Sequence, residues 1–97
     1  MTRATPPHGE GGGCCRLDLW LWHARVRSTR SACARLVSES GVRVNGRPSN
    51  RPATVVHRGD VLTFVVGTHV RVLRVEGFAL RRGSAVEAAR LFAEITT

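Results

Sequence analysis

The chain has 97 residues, fewer than the roughly 100 to 200 of an ordinary domain, which excludes a multi-domain enzyme and leaves room for one small fold. Fifteen basic residues against seven acidic ones give a formal charge of +8, which favours a polyanionic partner, nucleic acid first, over an acidic or neutral one. Apolar residues make up 42% of the chain, enough for a modest core, and no stretch approaches the roughly 20 apolar residues of a membrane span.

Residues 1–15 carry Pro6, Pro7, Gly9 and the run Gly11 to Gly13 with almost nothing to bury, a composition that predicts a disordered tail ahead of a single domain over 16–97. The start lacks the charged and apolar regions of a secretory signal, so a cytoplasmic setting is expected. Three cysteines, two of them adjacent at Cys14 and Cys15, do not suggest a disulfide framework.

From Leu17 the apolar positions Leu17, Trp20, Leu21 and Ala24 follow the spacing of a helix face, with Asp18 in the first turn, where the helix dipole favours an acid. Leu19 and Trp22 fall on the other side, so this first helix is expected to lie between two packing partners. Trp22 has the surface to stack on a base, but packing against a closing helix is its simpler use. A second helix is predicted to begin at Ser28 or Thr29, to bury Cys33, Leu36 and Val37, and to stop at Gly41. Ser31, Arg35 and Ser38 share its far face, which is polar and basic.

Val42 to Val44 leads into Asn45-Gly46, a strong hairpin signal because both residues tolerate the positive φ of a type I′ turn. Thr54 to Val56, a turn at Arg58-Gly59-Asp60, Val61 to Val66 and about Val70 to Val75 complete a small antiparallel sheet. Val72 and Leu73 break the alternation, which means either a bulge or burial on both faces. Ser84 with Glu87 forms a capping box, and Ala85, Ala88, Ala89, Leu91, Phe92 and Ile95 predict a closing helix reaching the end of the chain. Glu87, Arg90 and Glu94 would share its exposed side and pair there. Phe64, Phe78 and Phe92 read as core.

The charge is unevenly spread. Residues 16–51 hold eight Arg against Asp18 and Glu39, whereas 52–97 hold six Arg against four acids. Every cation is Arg; its planar fork suits phosphates and bases, although a GC-rich genome also explains Arg over Lys without explaining the charge excess. Arg25, Arg27 and Arg30 surround the start of the second helix, and Arg35 lies one turn on. Unpaired N–H groups there suit a phosphate, and an anionic partner would offset the unfavourable placement of Arg30 in the first turn. Arg43 and Arg47 flank the hairpin turn and Arg51 follows, a second cluster whose cooperation with the first depends on tertiary placement. The four His and three Cys show no metal-ligand spacing. No nucleophile constellation or phosphate-cradling glycine motif is visible, so neither an enzyme nor a cofactor or small-molecule substrate is expected.

The run Arg16-Leu17-Asp18-Leu19-Trp20-Leu21-Trp22, then Thr29-Arg30, Ala34-Arg35, Gly41-Val42-Arg43-Val44-Asn45-Gly46 and Gly59-Asp60 resembles the RNA-binding domain named after small-subunit ribosomal protein S-four. The opening motif and the ending from Arg81-Arg82 through Ser84, Glu87, Ala88, Ala89 and Leu91 resemble, within that superfamily, the bacterial heat-shock protein fifteen family. The resemblance spans about residues 16–95. It implies an α+β, αL fold in which two N-terminal helices pack on a small antiparallel sheet with a closing C-terminal helix. It also implies a protein that binds ribosomal RNA on free large subunits still carrying a nascent chain, assists their recycling under heat stress, and extends to DNA. From the residues themselves a non-catalytic module is expected, and a monomer is the default with the oligomeric state left open. By position Arg16, Arg27, Thr29, Arg30, Arg35, Arg43 and Arg47 would face RNA, with Arg25 and Arg51 added from their clusters. Longer family members carry a basic extension after the closing helix, whereas this sequence ends at Thr97, so ribosome affinity or site choice is expected to differ. Two other readings compete: the accessory domain of a pseudouridine synthase-like RNA-modifying system, and a thiol or zinc sensor built on Cys14, Cys15 and Cys33.

Overall fold

The computed structural model describes residues 13–95; most of the expected N-terminal tail lies outside them. Its last members, Cys14 and Cys15, belong to strand β1 (Cys14–Arg16), which passes directly into helix α1 (Leu17–His23). Helix α2 (Arg30–Arg35) follows, then β2 (Val42–Val44), β3 (Arg47–Ser49), β4 (Val55–His57), β5 (Val61–Val66), β6 (His69–Val75), α3 (Ala85–Ala89) and β7 (Phe92–Glu94). β1 and β4 form a two-stranded antiparallel pair, and the other five strands form an antiparallel sheet in the order β3-β2-β5-β6-β7.

Local signals decide the helical half. Leu17, Trp20, Leu21 and Ala24 are all buried, the stripe that the i, i+3, i+4, i+7 spacing requires. Trp20 Nε1 donates to the Gly77 carbonyl at 2.9 Å, and its ring meets Phe92 edge-on at 6.4 Å. On the far side Trp22 is half-buried and packs against the core, and the Arg82 guanidinium lies 5.6 Å from its ring centre while Arg82 Nε donates to the Trp22 carbonyl. After Arg35 the second helix widens into a π turn over Leu36–Ser40. Gly41, at φ +81°, then reverses the chain in a conformation that a side chain would strain.

The core gathers Cys33, Leu36 and Val37 from the second helix with Val42, Leu62, Phe64, Leu73 and Val75 from the inner face of the sheet. The hairpin adopts the expected turn, with Asn45 at φ +54° and Gly46 at φ +83°. β5 and β6 pair without interruption from Val61↔Arg74 to Val66↔His69, so there is no bulge at Val72 and Leu73. Burial on both faces is the explanation: Leu73 is fully buried on the inner face and Val72 is half-buried on the outer one, beside Ile95.

The C-terminal segment departs from its predicted course. The capping box is present, with Ser84 Oγ accepting from Glu87 N at 3.2 Å and Glu87 Oε1 accepting from Ser84 N at 3.0 Å. The helix nevertheless ends at Ala89, and Phe92–Glu94 joins the sheet beside β6. Unpaired backbone along β6 is a strong competitor for a segment whose Phe-Ala-Glu alternation suits a strand equally well. Glu94 therefore pairs across the sheet with Arg71, at 2.8 and 2.9 Å, and not with the expected Arg90. The Arg71 guanidinium in turn lies 5.9 Å from the rings of both Phe64 and Phe92.

Asp60, only 2% exposed, joins the turns of the sheet. Its carboxylate accepts from His57 N at 2.8 Å and from Asn45 Nδ2 at 3.1 Å, while Asn45 Oδ1 accepts from Val61 N at 2.8 Å. Replacing Asp60 with Ala removes the acceptor of both bonds, so urea unfolding of Asp60→Ala is expected to show a loss of about 1 to 3 kcal/mol with an unchanged m-value. A second expectation concerns His23, buried on α1. Burial, then the nearby Arg30 and Arg82 guanidinium groups, hold its imidazole below the ordinary value. As pH falls through about 6.5 the unfolded chain takes up a proton that the folded one resists, and stability declines. Thermal melts between about pH 7 and 5 should show this decline, and His23→Gln should flatten it; identical profiles for variant and parent would refute the assignment.

Candidate nucleic-acid interface

Thr29 sets the start of α2. Its backbone is extended at φ −129° and ψ 155°, and its Oγ1 accepts from Ala32 N at 3.0 Å. This places Arg30 in the first turn of α2, against the N-terminal end of α1. Asp18 stands between the two helices. Its carboxylate receives Arg16 through Nε at 3.0 Å and Nη2 at 3.2 Å, and Arg30 Nε lies 3.7 Å away. The counter-charge that Arg30 needs in this first turn is thus partly supplied from within, by an acid on the preceding helix.

The other predicted residues are placed separately. Arg51 lies in the loop that runs beneath the start of α1: Leu17 N donates to the Thr54 carbonyl at 2.7 Å and Asp18 N to the Pro52 carbonyl at 3.1 Å. The fold therefore brings the Arg51 loop to the Arg16–Asp18–Arg30 group. Arg35 is exposed on the same helix face as Ser31 and Ser38, as the spacing requires, and Arg27 is half-buried beside Cys33.

Arg43 and Arg47 do not form one cluster across the hairpin. Arg43 pairs with Pro48 and Thr63, whereas Arg47 pairs with Val44, so alternation sends the two side chains to opposite faces. Arg43 Nη1 also closes onto the Gly46 carbonyl at 3.2 Å. Arg25 is taken up by the fold itself. It adopts a left-handed φ of +62°, and its Nε and Nη2 donate to the Gly83 carbonyl at 2.9 and 2.7 Å, tying the α1–α2 turn to the approach to α3.

One basic residue was not selected from the sequence. Arg82, across Trp22 and close enough to act on His23, brings a cation from the C-terminal part of the chain to the helical face. The Arg81-Arg82 pair is visible in the sequence, but the 60-residue separation from Trp22 hides where it lands. Neither Cys15 nor Cys33 is an activated thiol. Burial, then Cys14 and Asp18, push the Cys15 thiol up to about 12, and burial also raises that of Cys33. Among the described residues, no three His, Cys, Asp or Glu side chains are grouped to hold a metal ion, and no helix is long and apolar enough to cross a membrane.

This arrangement has known counterparts. The S4 domain model matches residues 15–62, from β1 into β5. Heat shock protein 15 of Escherichia coli K12 is 35% identical over 79 residues, which is 81% of this chain and 59% of that protein. The Heat shock protein 15 homolog of Aeromonas salmonicida matches at the same identity and coverage. The chain thus spans about three-fifths of the length of these relatives. A trimeric structure of Heat Shock Protein 15 from Vibrio cholerae superimposes with a TM-score of 0.78 at 33% identity, covering 84% of this chain and 82% of that one. With the fold, the S4 match and this identity across most of both chains in agreement, the protein belongs to the Heat shock protein 15 family and carries an S4 domain.

Proposed function

We propose that the chain is a non-catalytic module that docks on ribosomal RNA of free large subunits still carrying a nascent chain and assists their recycling under heat stress. The observation that carries this reading is the gathering of Arg16, Arg30 and the Arg51 loop at the exposed end of α1 and α2, with Arg35 exposed at the other end of α2. Guanidinium groups in such a patch contact phosphates, and the shape of the RNA, more than base identity, sets the site. The same chemistry extends to DNA phosphates.

Arg16, Arg27, Thr29, Arg30, Arg35 and Arg51 form the principal face in this reading. Thr29 contributes by fixing the helix start, while Arg43 and Arg47 extend the face from either side of the hairpin. Arg25 acts indirectly, by holding the turn between the helices. The protein works as a monomer in this scheme, and sedimentation equilibrium distinguishes that from a trimer like the one in the Vibrio cholerae structure.

Binding to ribosomal RNA should be strongly salt-dependent: with about six phosphates neutralised, log affinity should fall against log salt with a slope of about −4 to −5, and a slope near zero would refute the electrostatic footprint. Arg35→Glu should weaken RNA binding by about tenfold or more, with a change in stability within about 0.5 kcal/mol. Equal loss of fold and binding would make Arg35 structural. On sucrose gradients of cell lysate, the tagged protein should be enriched with free large subunits over translating ribosomes. Absence from every ribosomal fraction would leave RNA binding standing and remove the ribosome assignment.

A further inference from the structure

A carboxylate in the middle of a phosphate-binding face is at first sight a liability. Asp18 removes one positive charge from the patch and repels the ligand. Yet it is 4% exposed and fully engaged: Oδ1 accepts from Arg16 Nε at 3.0 Å and from Leu19 N at 2.9 Å, and Oδ2 accepts from Arg16 Nη2 at 3.2 Å and faces Arg30 Nε at 3.7 Å. Both arginines turn their Nε edge inward to this one acid. Their side chains remain 50% and 44% exposed, so Nη1 of Arg16 and both Nη groups of Arg30 are left for a ligand.

A guanidinium is rigid and planar, so fixing its Nε edge also fixes the direction of the remaining donors. The long stem that carries it is not rigid, and an unrestrained Arg loses rotamer freedom when it closes on a phosphate. An internal carboxylate that orders the stem beforehand removes that loss from the binding step. We propose that Asp18 is a positioning residue for RNA recognition: it holds Arg16 and Arg30 as an oriented pair whose outward Nη groups receive the backbone phosphates of one RNA segment. The inference rests on the RNA-binding reading above and adds to it a residue that a charge-based survey discards.

Charge and geometry give opposite signs for one substitution. Asp18→Asn raises the net charge by one unit, so a purely electrostatic surface would bind RNA more tightly, whereas a positioned pair loses its anchor and binds more weakly, by about tenfold. The experiment is titration of a labelled RNA hairpin with the wild type, Asp18→Asn, the double variant Arg16→Ala with Arg30→Ala, and the triple variant, with melting temperatures measured in parallel. Weaker binding by Asp18→Asn, together with under about twofold further effect of that change when both arginines are absent, is the expected result. Unchanged or tighter binding overturns the proposal, as does an equal loss with and without the arginines, because Asp18 would then support the fold alone.

If Asp18→Asn fails to fold, Arg30→Lys takes its place. Lys keeps the charge but has no Nε edge for Asp18 to hold, so weakened binding at unchanged melting temperature supports the pair and unchanged binding overturns it. Failure of the wild type to bind the hairpin at any salt would overturn the RNA reading itself, and the role of Asp18 with it.

Discussion

Asp60 lies where the hairpin, the β4–β5 turn and the end of β6 converge, and a carboxylate almost without solvent has to be met by donors on several sides. His57 N and Asn45 Nδ2 donate to its oxygens, while its own carbonyl accepts from Val75 N. Asn45 in turn exchanges backbone and side-chain bonds with Val61. The hairpin is thus locked in register against β5, and a shift of one residue would carry Val42 and Val44 away from the core. The positions of Arg43 and Arg47, one on each face, follow from that lock.

A second buried acid performs the corresponding task among the helices. Asp18 joins α1, through its own position, to Arg16 ahead of α1 and Arg30 in α2. Among the described residues the two buried carboxylates, Asp18 and Asp60, lie at junctions between elements, while most of the arginines are exposed. The net charge describes the surface, and the few internal acids decide where on that surface the charge is concentrated.

How much of this was legible in the sequence depended on the range of the interaction. The α1 stripe, the helix start at Thr29, one of the two caps that the sequence offers, the stop at Gly41 and the Asn45-Gly46 turn are decided within a few residues, and the structure has each of them. The apolar spacing of Phe92–Glu94 continues that of Ala85 and Ala88 and predicts helix; the open side of β6, remote in sequence, determines otherwise. The candidate site followed the same division. Arg35 stands where helical periodicity puts it. The meeting of Arg16 and Arg30 on Asp18, the approach of Arg82 to Trp22 and the diversion of Arg25 to Gly83 are tertiary events that no local pattern records.

The ties between the two ends of the chain bear on the order in which the domain is completed during synthesis. Trp20 is bonded to Gly77, Arg25 to Gly83 and Trp22 to Arg82, separations of 57, 58 and 60 residues. Core members Leu73, Val75 and Leu91 also follow the stretch that matches the S4 domain. Such non-local contacts form late, because the chain between them must first be closed into a loop. While the first 70 residues emerge from the ribosome, α1 has its apolar stripe but lacks much of the surface that buries it. The arginines of the proposed binding face are therefore made before the residues that anchor α1 and its turn, and the fold around them is finished only when β7 has been translated.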